Sequence, residues 1–348
     1  MNDHNALFFQ TALLAWFDEH GRHDLPWQHP LDSYRIWIAE IMLQQTQVKT
    51  VIPYFRRFIE RFPDILALVS ASEDEVLAYW SGLGYYRRAR YIYQTAYILH
   101  AHHQGCLPDT VWALKSLPGI GASTAAAIAA QAFNVPAAIL DGNVKRVLSR
   151  YFKISAPPSA KNDRKLQQLA DLCMAKTRCQ AYTQAIMDLG ALCCTPSQPH
   201  CHVCPVHTHC QAYLTDEVAL YPVKKLKQLK PTKTQQFLLL TQEKQVYLIK
   251  RPTTGIWGGL WCLPEIHDLD KTSTFNLKLD KRLSAQPFLT LKHTLTHFHL
   301  FIEVYRLPES VQTSHTLNEA NWFDAPACLR LGLPKPVTTI LEQFFDTP

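Results

Sequence analysis

Four closely spaced cysteines constrain this chain more than any other feature. Cys194, Cys201, Cys204 and Cys210 follow the spacing C-x6-C-x2-C-x5-C. So short a segment has no core of its own and needs something for its sulfurs to converge on. Four thiolates can wrap one iron–sulfur cubane, because cysteine sulfur is the usual ligand of such clusters. A structural zinc site is the competing reading, since His200, His202, His207 and His209 are interleaved and offer nitrogen donors. The long x6 and x5 loops are unusual for zinc patterns and favour the cluster. Cys193 is left as the spare, because adjacent cysteines cannot easily both ligate one metal. A disulfide framework would go with a short secreted domain. The N-terminus, MNDHNALFFQ, has neither a basic n-region nor a small-residue cleavage site. No apolar run approaches the ~20 residues that span a bilayer. A cytoplasmic protein with no membrane association is expected.

The chain has 348 residues. At roughly 150 residues per domain, two domains are expected. Hydrophobic residues at 47% and charged residues at 18% supply real cores. That balance argues against disorder. Apolar residues recur at helical spacing in 6–17, 34–43, 48–62, 74–80, 85–100, 122–133, 143–152 and 163–191. Beyond residue 223 the pattern changes. QFLLLT (236–241) and VYLIKR (246–251) flank a polar turn and read as a hairpin. HLFIEVYRL (299–307) reads as a strand, and PVTTILEQFF (336–345) as a closing helix. The fold class is therefore an all-α domain followed by a smaller α+β domain. Of the net charge of +6, residues 1–223 contribute 19 basic against 18 acidic side chains, and 224–348 contribute 16 against 11. Five lysines within 224–233 account for the excess, which marks a linker able to touch phosphate.

Several segments carry chemistry. LPGIGASTAAAIAA (117–130) resembles the hairpin of a helix-hairpin-helix motif, whose glycines let backbone amides approach a phosphate. An ordinary helical corner with close alanine packing is the alternative. Glu40 lies in IWIAEIML, where every neighbour from Ile36 to Leu43 is apolar. A carboxyl desolvated there would hold a proton near neutral pH, whereas one on the exposed face would not. Gln44, Gln45 and Gln47 follow, and amides can hydrogen-bond bases or wedge into a stack. Asp141 opens a helix after an apolar run; it is either a plain N-cap or an anion able to stabilise a cation. GLGYYRRARYIY (82–93) interleaves tyrosines that can stack on bases with arginines that can hold phosphates. A half-exposed amphipathic helix would give the same pattern.

Together these residues identify a family resemblance. LPW (25–27), AEIMLQQTQV (39–48), GLGYYRRAR (82–90), LPGIGASTA (117–125), ILDGNVKRVL (139–148), MDLGALCC (187–194), the cysteine loop and GIWGGLWCLP (255–264) resemble the bacterial MutY family of adenine DNA glycosylases over essentially the whole chain. The resemblance implies a helix-hairpin-helix glycosylase domain over 1–223, with the hairpin motif at about 109–132 and a [4Fe–4S] loop at 194–210. A lysine-rich linker over 224–234 and a Nudix-like 8-oxoguanine recognition domain over 235–348 would follow. It implies monofunctional hydrolysis of the N-glycosidic bond of adenine opposite 8-oxoguanine, or guanine, in double-stranded DNA by a monomer. Glu40 then matches the acid that protonates adenine N7, and Asp141 matches the carboxylate that stabilises the oxocarbenium-like state. Adenine must be flipped out of the duplex first. Trp27, Asn143, Gln184 and Ser123 are expected around that base. Gln45, Tyr85, Leu117, Gly119, Gly121 and Lys145 are expected to meet DNA, with Gln45 and Tyr85 as wedges.

Two departures stand out. Related glycosylase–lyases place a nucleophilic lysine where Ser123 stands here, so Schiff-base chemistry is not expected. The loop that usually reads Phe-Ser-His is Leu295-Thr296-His297, which keeps a hydroxyl and a histidine for the oxidised base but loses an aromatic. No glutamate-rich Nudix helix follows GIWGGLWCLPE; Glu265 stands alone before Asp268 and Asp270, so the second domain reads as a recognition module. The competing functions are a glycosylase–lyase of the same superfamily and a non-catalytic DNA-binding protein with structural zinc.

Overall fold

The computed structural model describes residues 3–223, 229–266, 286–306 and 320–346. Cα packing separates two units, residues 1–69 with 94–227, and residues 70–93 with 228–348. The helices of 70–93 thus group with the C-terminal part, whereas the sequence pattern suggests a change of domain only at 223.

The first unit is helical. It contains α1 (Asp3–His20), α2 (Ser33–Leu43), α3 (Val48–Arg61), most of α4 (Ile65–Ser70), the C-terminal part of α6 (Arg87–His102), α7 (Val111–Lys115), α8 (Ala122–Phe133), α9 (Gly142–Tyr151), α10 (Ala160–Cys173), α11 (Cys179–Asp188) and α12 (Gln211–Leu214). Helix α2 starts where the Asp32 carboxylate accepts from Arg35 N at 3.0 Å, an N-cap interaction. Its side chains from Ile36 to Ala39, with Ile41 and Met42, are all buried, so it is a core helix and not a surface one. Helix α8 packs against it. Ala125, Ala126, Ala127, Ala129 and Ala130 are all buried. Such small side chains let helix backbones approach closely. A second core joins Phe9 and Leu13 of α1 to Val147 and Tyr151 of α9, Leu166 of α10 and Ala185 of α11.

One sequence expectation is corrected here. The apolar spacing over 163–191 suggests continuous helix, yet the chain breaks between α10 and α11 and then forms a π-helical turn, Leu189–Cys193. The break has no glycine or proline. Arg178 takes the left-handed conformation (φ 55°) at its end, and its guanidinium pairs with Asp18. The Asn134 side chain accepts from the first amide of α11, Cys179 N, at 2.9 Å. Long-range partners, not local propensity, decide this boundary.

The second unit combines α5 (Glu73–Trp80) and the start of α6 with β1 (Thr232–Leu239), β2 (Thr241–Gln242), β3 (Gln245–Lys250), β4 (Trp261–Cys262), β5 (Leu289–Thr294), β6 (His299–Arg306), β7 (Ala320–Asp324), α13 (Ala325–Cys328) and α14 (Lys335–Phe345). One sheet runs β1-β6-β5, with β1 and β6 parallel; in the other, β3 pairs with β2, β4 and β7, all antiparallel. The expected hairpin survives only as the short β2–β3 pair, because β1 pairs in parallel with β6 instead. Phe237, Leu239, Val304, Ile340 and Leu341 lie in the core between sheet and α14. The α5 segment is tied in by Lys250 to Asp74 at 2.9 Å, Arg90 Nη1 to the Thr253 carbonyl at 3.0 Å and Tyr86 OH to the Leu333 carbonyl at 2.6 Å.

Candidate active site

Helix α2 carries Glu40 at a position where the apolar stripe turns toward α8. Gln131, buried on α8, donates Nε2–H to Glu40 Oε1 at 2.6 Å. Glu40 is half-buried by surface area, yet protein packs densely around its carboxyl. Burial pushes its pKa from 4.5 to about 7; the Gln131 bond opposes that rise and the nearby Asp141 charge adds to it. Desolvation of the charged form is thus the dominant cause. Asp141 lies close enough to act on Glu40, and the two expected carboxyls do come together.

Asp141 is held at the start of α9. Its Oδ1 accepts from Val144 N at 2.7 Å. The N-cap role is therefore real, and it fixes the carboxylate. One residue earlier, Leu140 N donates to Ser123 Oγ at 3.1 Å, so the serine on α8 anchors the loop that delivers Asp141. Next to Asp141, the Asn143 side-chain oxygen accepts from Arg146 Nη2 at 2.8 Å. Arg146 also donates to the carbonyls of Gly190 at 2.7 Å and Cys194 at 2.8 Å. Sequence patterns offer no reason to single out Gln131 or Arg146: both look like ordinary mid-helix polar residues.

Two expected base-contacting residues sit deeper. Trp27 is 2% exposed and packs edge-on against Phe55 at 5.5 Å. Gln184 donates to Asp188 Oδ1 at 2.7 Å, and fully buried Asp188 also accepts from Arg22 N at 2.8 Å and its guanidinium Nε at 2.9 Å. Nothing in the sequence pattern points to this Arg22–Asp188–Gln184 network.

The hairpin follows the expected pattern with one correction. Gly119 has φ 76°, a conformation that favours glycine. Gly121 is the N-cap of α8, with open space where a Cβ would stand. Leu117 is buried, so only its backbone can face a ligand. Gln44 is drawn inward, donating to Gly119 O at 3.3 Å and Thr124 Oγ1 at 3.1 Å. Gln45 is exposed at φ 57°. Lys145 pairs with Asp163 at 2.7 Å, which weakens its claim as a dedicated phosphate ligand.

The cysteine loop forms a cavity of about 380 Å³, open mouth included. Cys194, Cys201, Cys204 and Cys210 line it together with Cys193, Val147, Leu189 and Val206. Cysteine sulfurs around a largely apolar void, with Arg150 and His207 also in the lining, fit a bulky cluster. Arg150 Nη1 lies 3.3 Å from Cys194 Sγ, placing a cation beside that sulfur. Burial pushes up the thiols of Cys194, Cys201 and Cys210, the last to about 11. Thiolates there call for a cationic group in the cavity.

In the second unit, Tyr85 is 47% exposed at φ 50°, and its hydroxyl lies 3.2 Å from Thr296 Oγ1. Buried Arg88 stacks between Trp80 and Tyr85 at 5.2 and 5.4 Å, and Arg90 binds Glu73. Those two arginines serve internal contacts, so the phosphate-holding role read from 82–93 does not extend to them. His297 follows Thr296 in the turn between β5 and β6. Glu265 is 3% exposed and bound by Arg251 and by Gln235 Nε2 at 2.6 Å, a core network. Asp268 and Asp270 lie outside the described residues.

Comparisons with known proteins identify the family. Residues 38–171 match the HhH-GPD superfamily base excision DNA repair proteins, and residues 235–343 match the NUDIX domain. The chain is 39% identical to the adenine DNA glycosylase of Buchnera aphidicola subsp. Baizongia pistaciae (strain Bp), over 97% of each chain. It is 38% identical to that of subsp. Schizaphis graminum (strain Sg), over 97% of this chain and 98% of the other. The solved structure of a thermostable thymine-DNA glycosylase covers 61% of this chain and 98% of its own, with a TM-score of 0.57 and 28% identity. No helix among the described residues is long and apolar enough to cross a membrane. The two domain matches and 38–39% identity over nearly the whole length lead to one assignment: the chain belongs to the adenine DNA glycosylases of base excision repair, with a helical helix-hairpin-helix domain followed by an α+β Nudix domain.

Proposed function

We propose that this glycosylase hydrolyses the N-glycosidic bond of adenine paired with 8-oxoguanine, and with lower preference guanine, in double-stranded DNA. The observation that carries the reading is Glu40, a carboxyl protonated near neutrality within reach of the Asp141 charge. Protonated Glu40 donates to N7 of the extruded adenine. The electron pair of the breaking C1′–N9 bond then leaves on the base, and positive charge develops on the sugar. Asp141, fixed at the N-terminus of α9, stabilises that charge. Water adds at C1′ and returns its proton to Glu40, giving adenine and an abasic site. Asn143, held by Arg146, and Ser123, which anchors the loop leading to Asp141, shape the surroundings. With serine and not lysine at 123, strand cleavage should require added alkali.

The second unit reads the partner base. Its support is the Tyr85–Thr296 contact, which joins the expected wedge to the expected reader in one unit. Gln45, the Gly119–Gly121 hairpin and Lys145 contribute contacts to the duplex. Cys194, Cys201, Cys204 and Cys210 would hold a [4Fe–4S] cluster, whose contribution is to the stability of the loop. The test is a single-turnover assay on duplexes carrying adenine opposite 8-oxoguanine or guanine, read with and without alkali. Excision of adenine by wild type, its loss in Glu40→Gln with duplex binding retained, and alkali-dependent strand breaks are expected. Glu40→Gln with wild-type turnover would remove Glu40 from the chemistry.

A further inference from the structure

We infer that Gln131 is a positioning residue for the proton donor, holding one carboxyl oxygen of Glu40 as an acceptor and leaving the proton on the other. The inference rests on the reading of Glu40 as the acid. It starts from a contact between two core helices. Gln131 is 4% exposed in the last turns of α8, where every other side chain from Ala125 to Phe133 is apolar. An amide buried among alanines costs free energy unless it is bonded. Its Nε2–H meets Glu40 Oε1 at 2.6 Å. That is a short, charge-assisted geometry when Glu40 is ionised.

The chemistry follows from donor and acceptor roles. An amide N–H can only donate, so Oε1 serves as acceptor in both protonation states of Glu40. In the acid form the carbonyl-type oxygen is the better acceptor, which places the hydroxyl on Oε2. After proton transfer the same N–H stabilises the carboxylate, ready to take a proton from water. Gln131 thus fixes the direction from which the proton leaves and moderates the effect of burial on Glu40. The groups that act on Glu40 come from two elements besides its own, Gln131 from α8 and Asp141 from the start of α9. Helix α3 also packs on α2, but Lys49, Arg56, Arg57, Glu60 and Arg61 are not among those groups.

The test compares full-length wild type with Gln131→Met, which keeps the length but loses the donor, and with Gln131→Glu. Single-turnover excision of adenine opposite 8-oxoguanine is followed from pH 5 to 9. Duplex affinity and thermal melting serve as controls. Loss of a hydrogen bond to a charged group should move the alkaline limb upward by about one pH unit. The plateau should fall by roughly ten-fold or more because the proton is no longer aimed. Gln131→Glu, which sets a second acid against Glu40, should shift the limb in the same direction. If either variant melts and binds duplex like wild type yet keeps its pH profile and plateau, the inference fails. Glu40→Gln separates the two levels. If Glu40→Gln still excises adenine, both readings fall. If it is inactive while the Gln131 profiles match wild type, only the role of Gln131 is lost.

Discussion

At Glu40, catalysis and stability pull in opposite directions. Its pKa rises from 4.5 to about 7 on folding. The native state therefore binds more protons than the unfolded chain between those values. Stability contributed by the neutral carboxyl is present at low pH and lost as pH climbs through about 7. Glu40→Gln should therefore melt close to wild type near pH 4.5 but be more stable at pH 8, by at most roughly 3 kcal/mol. Urea unfolding at the two pH values measures this, and an equal difference at both would deny the desolvated acid. Excision should follow the same group, flat below about 7 and falling above it. A second residue-scale prediction concerns the paired cysteines. Cys193 is 5% exposed and donates its thiol to the His200 carbonyl at 3.3 Å, whereas Cys194 faces the Arg150 guanidinium. Cys194→Ser should lose iron and visible absorption, and Cys193→Ser should keep both. The reverse result would shift the ligand register by one residue. The sequence made Glu40 legible because a lone acid in an apolar helix has few reasons to be there. It did not reveal Gln131 or Arg146, whose roles depend on which helices meet.

The elements around the site are as informative as the side chains. The π-helical turn Leu189–Cys193 joins α11 to the cysteine loop and packs against α9, most tightly at Gly190. A Cβ built on Gly190 would stand 2.7 Å from the Asn143 Cβ, closer than real contacts allow. The Gly190 carbonyl also accepts from Arg146, which in turn holds Asn143. Gly190→Ala should cost about 1–3 kcal/mol through overpacking. It should also slow excision more than it weakens duplex binding, because Asn143 and the α9 terminus carrying Asp141 are displaced. Wild-type kinetics in a destabilised Gly190→Ala protein would show that α9 does not transmit the strain. Most helices were legible from apolar spacing and caps; Asp32, Ser72, Thr110, Asp141 and Ser159 all cap as their residue type suggests. The break after Cys173 was not, because Arg178 takes its left-handed conformation with distant partners, Asp18 and Asn134, close to it. Strand pairing was the least legible feature. The parallel register of β1 with β6 links Thr232 to His299. No local pattern encodes a partner so remote.

At the scale of the whole molecule, the sequence showed two domains but placed the boundary only at the lysine-rich linker. Packing groups residues 70–93 with the C-terminal part, and this changes what a truncation should do. Divided at 223, the chain would lose only its damage readout on removal of residues 235–348, and adenine excision would survive. In the structure that deletion also removes the Leu333 carbonyl bonded by Tyr86, the Lys250 partner of Asp74 and the Thr253 carbonyl bonded by Arg90. Gly332 packs close to the Leu77 side chain, so deletion uncovers Leu77, which is fully buried on α5. Exposing such a side chain costs about 1.5–3 kcal/mol. Residues 1–234 should consequently melt lower and excise adenine more slowly from both duplexes, besides losing preference for 8-oxoguanine. Thr296→Val separates these effects. It removes the hydroxyl that meets Tyr85 but leaves the packing of α5 untouched. Melting and the rate opposite guanine should stay near wild type, while the preference for 8-oxoguanine in single-turnover rate and affinity should fall about five- to ten-fold. If Thr296→Val keeps that preference while the truncation loses it, the readout lies elsewhere in the second unit. A truncated chain that melts and discriminates like wild type would refute both the shared packing of residues 70–93 and the recognition role of the Nudix domain.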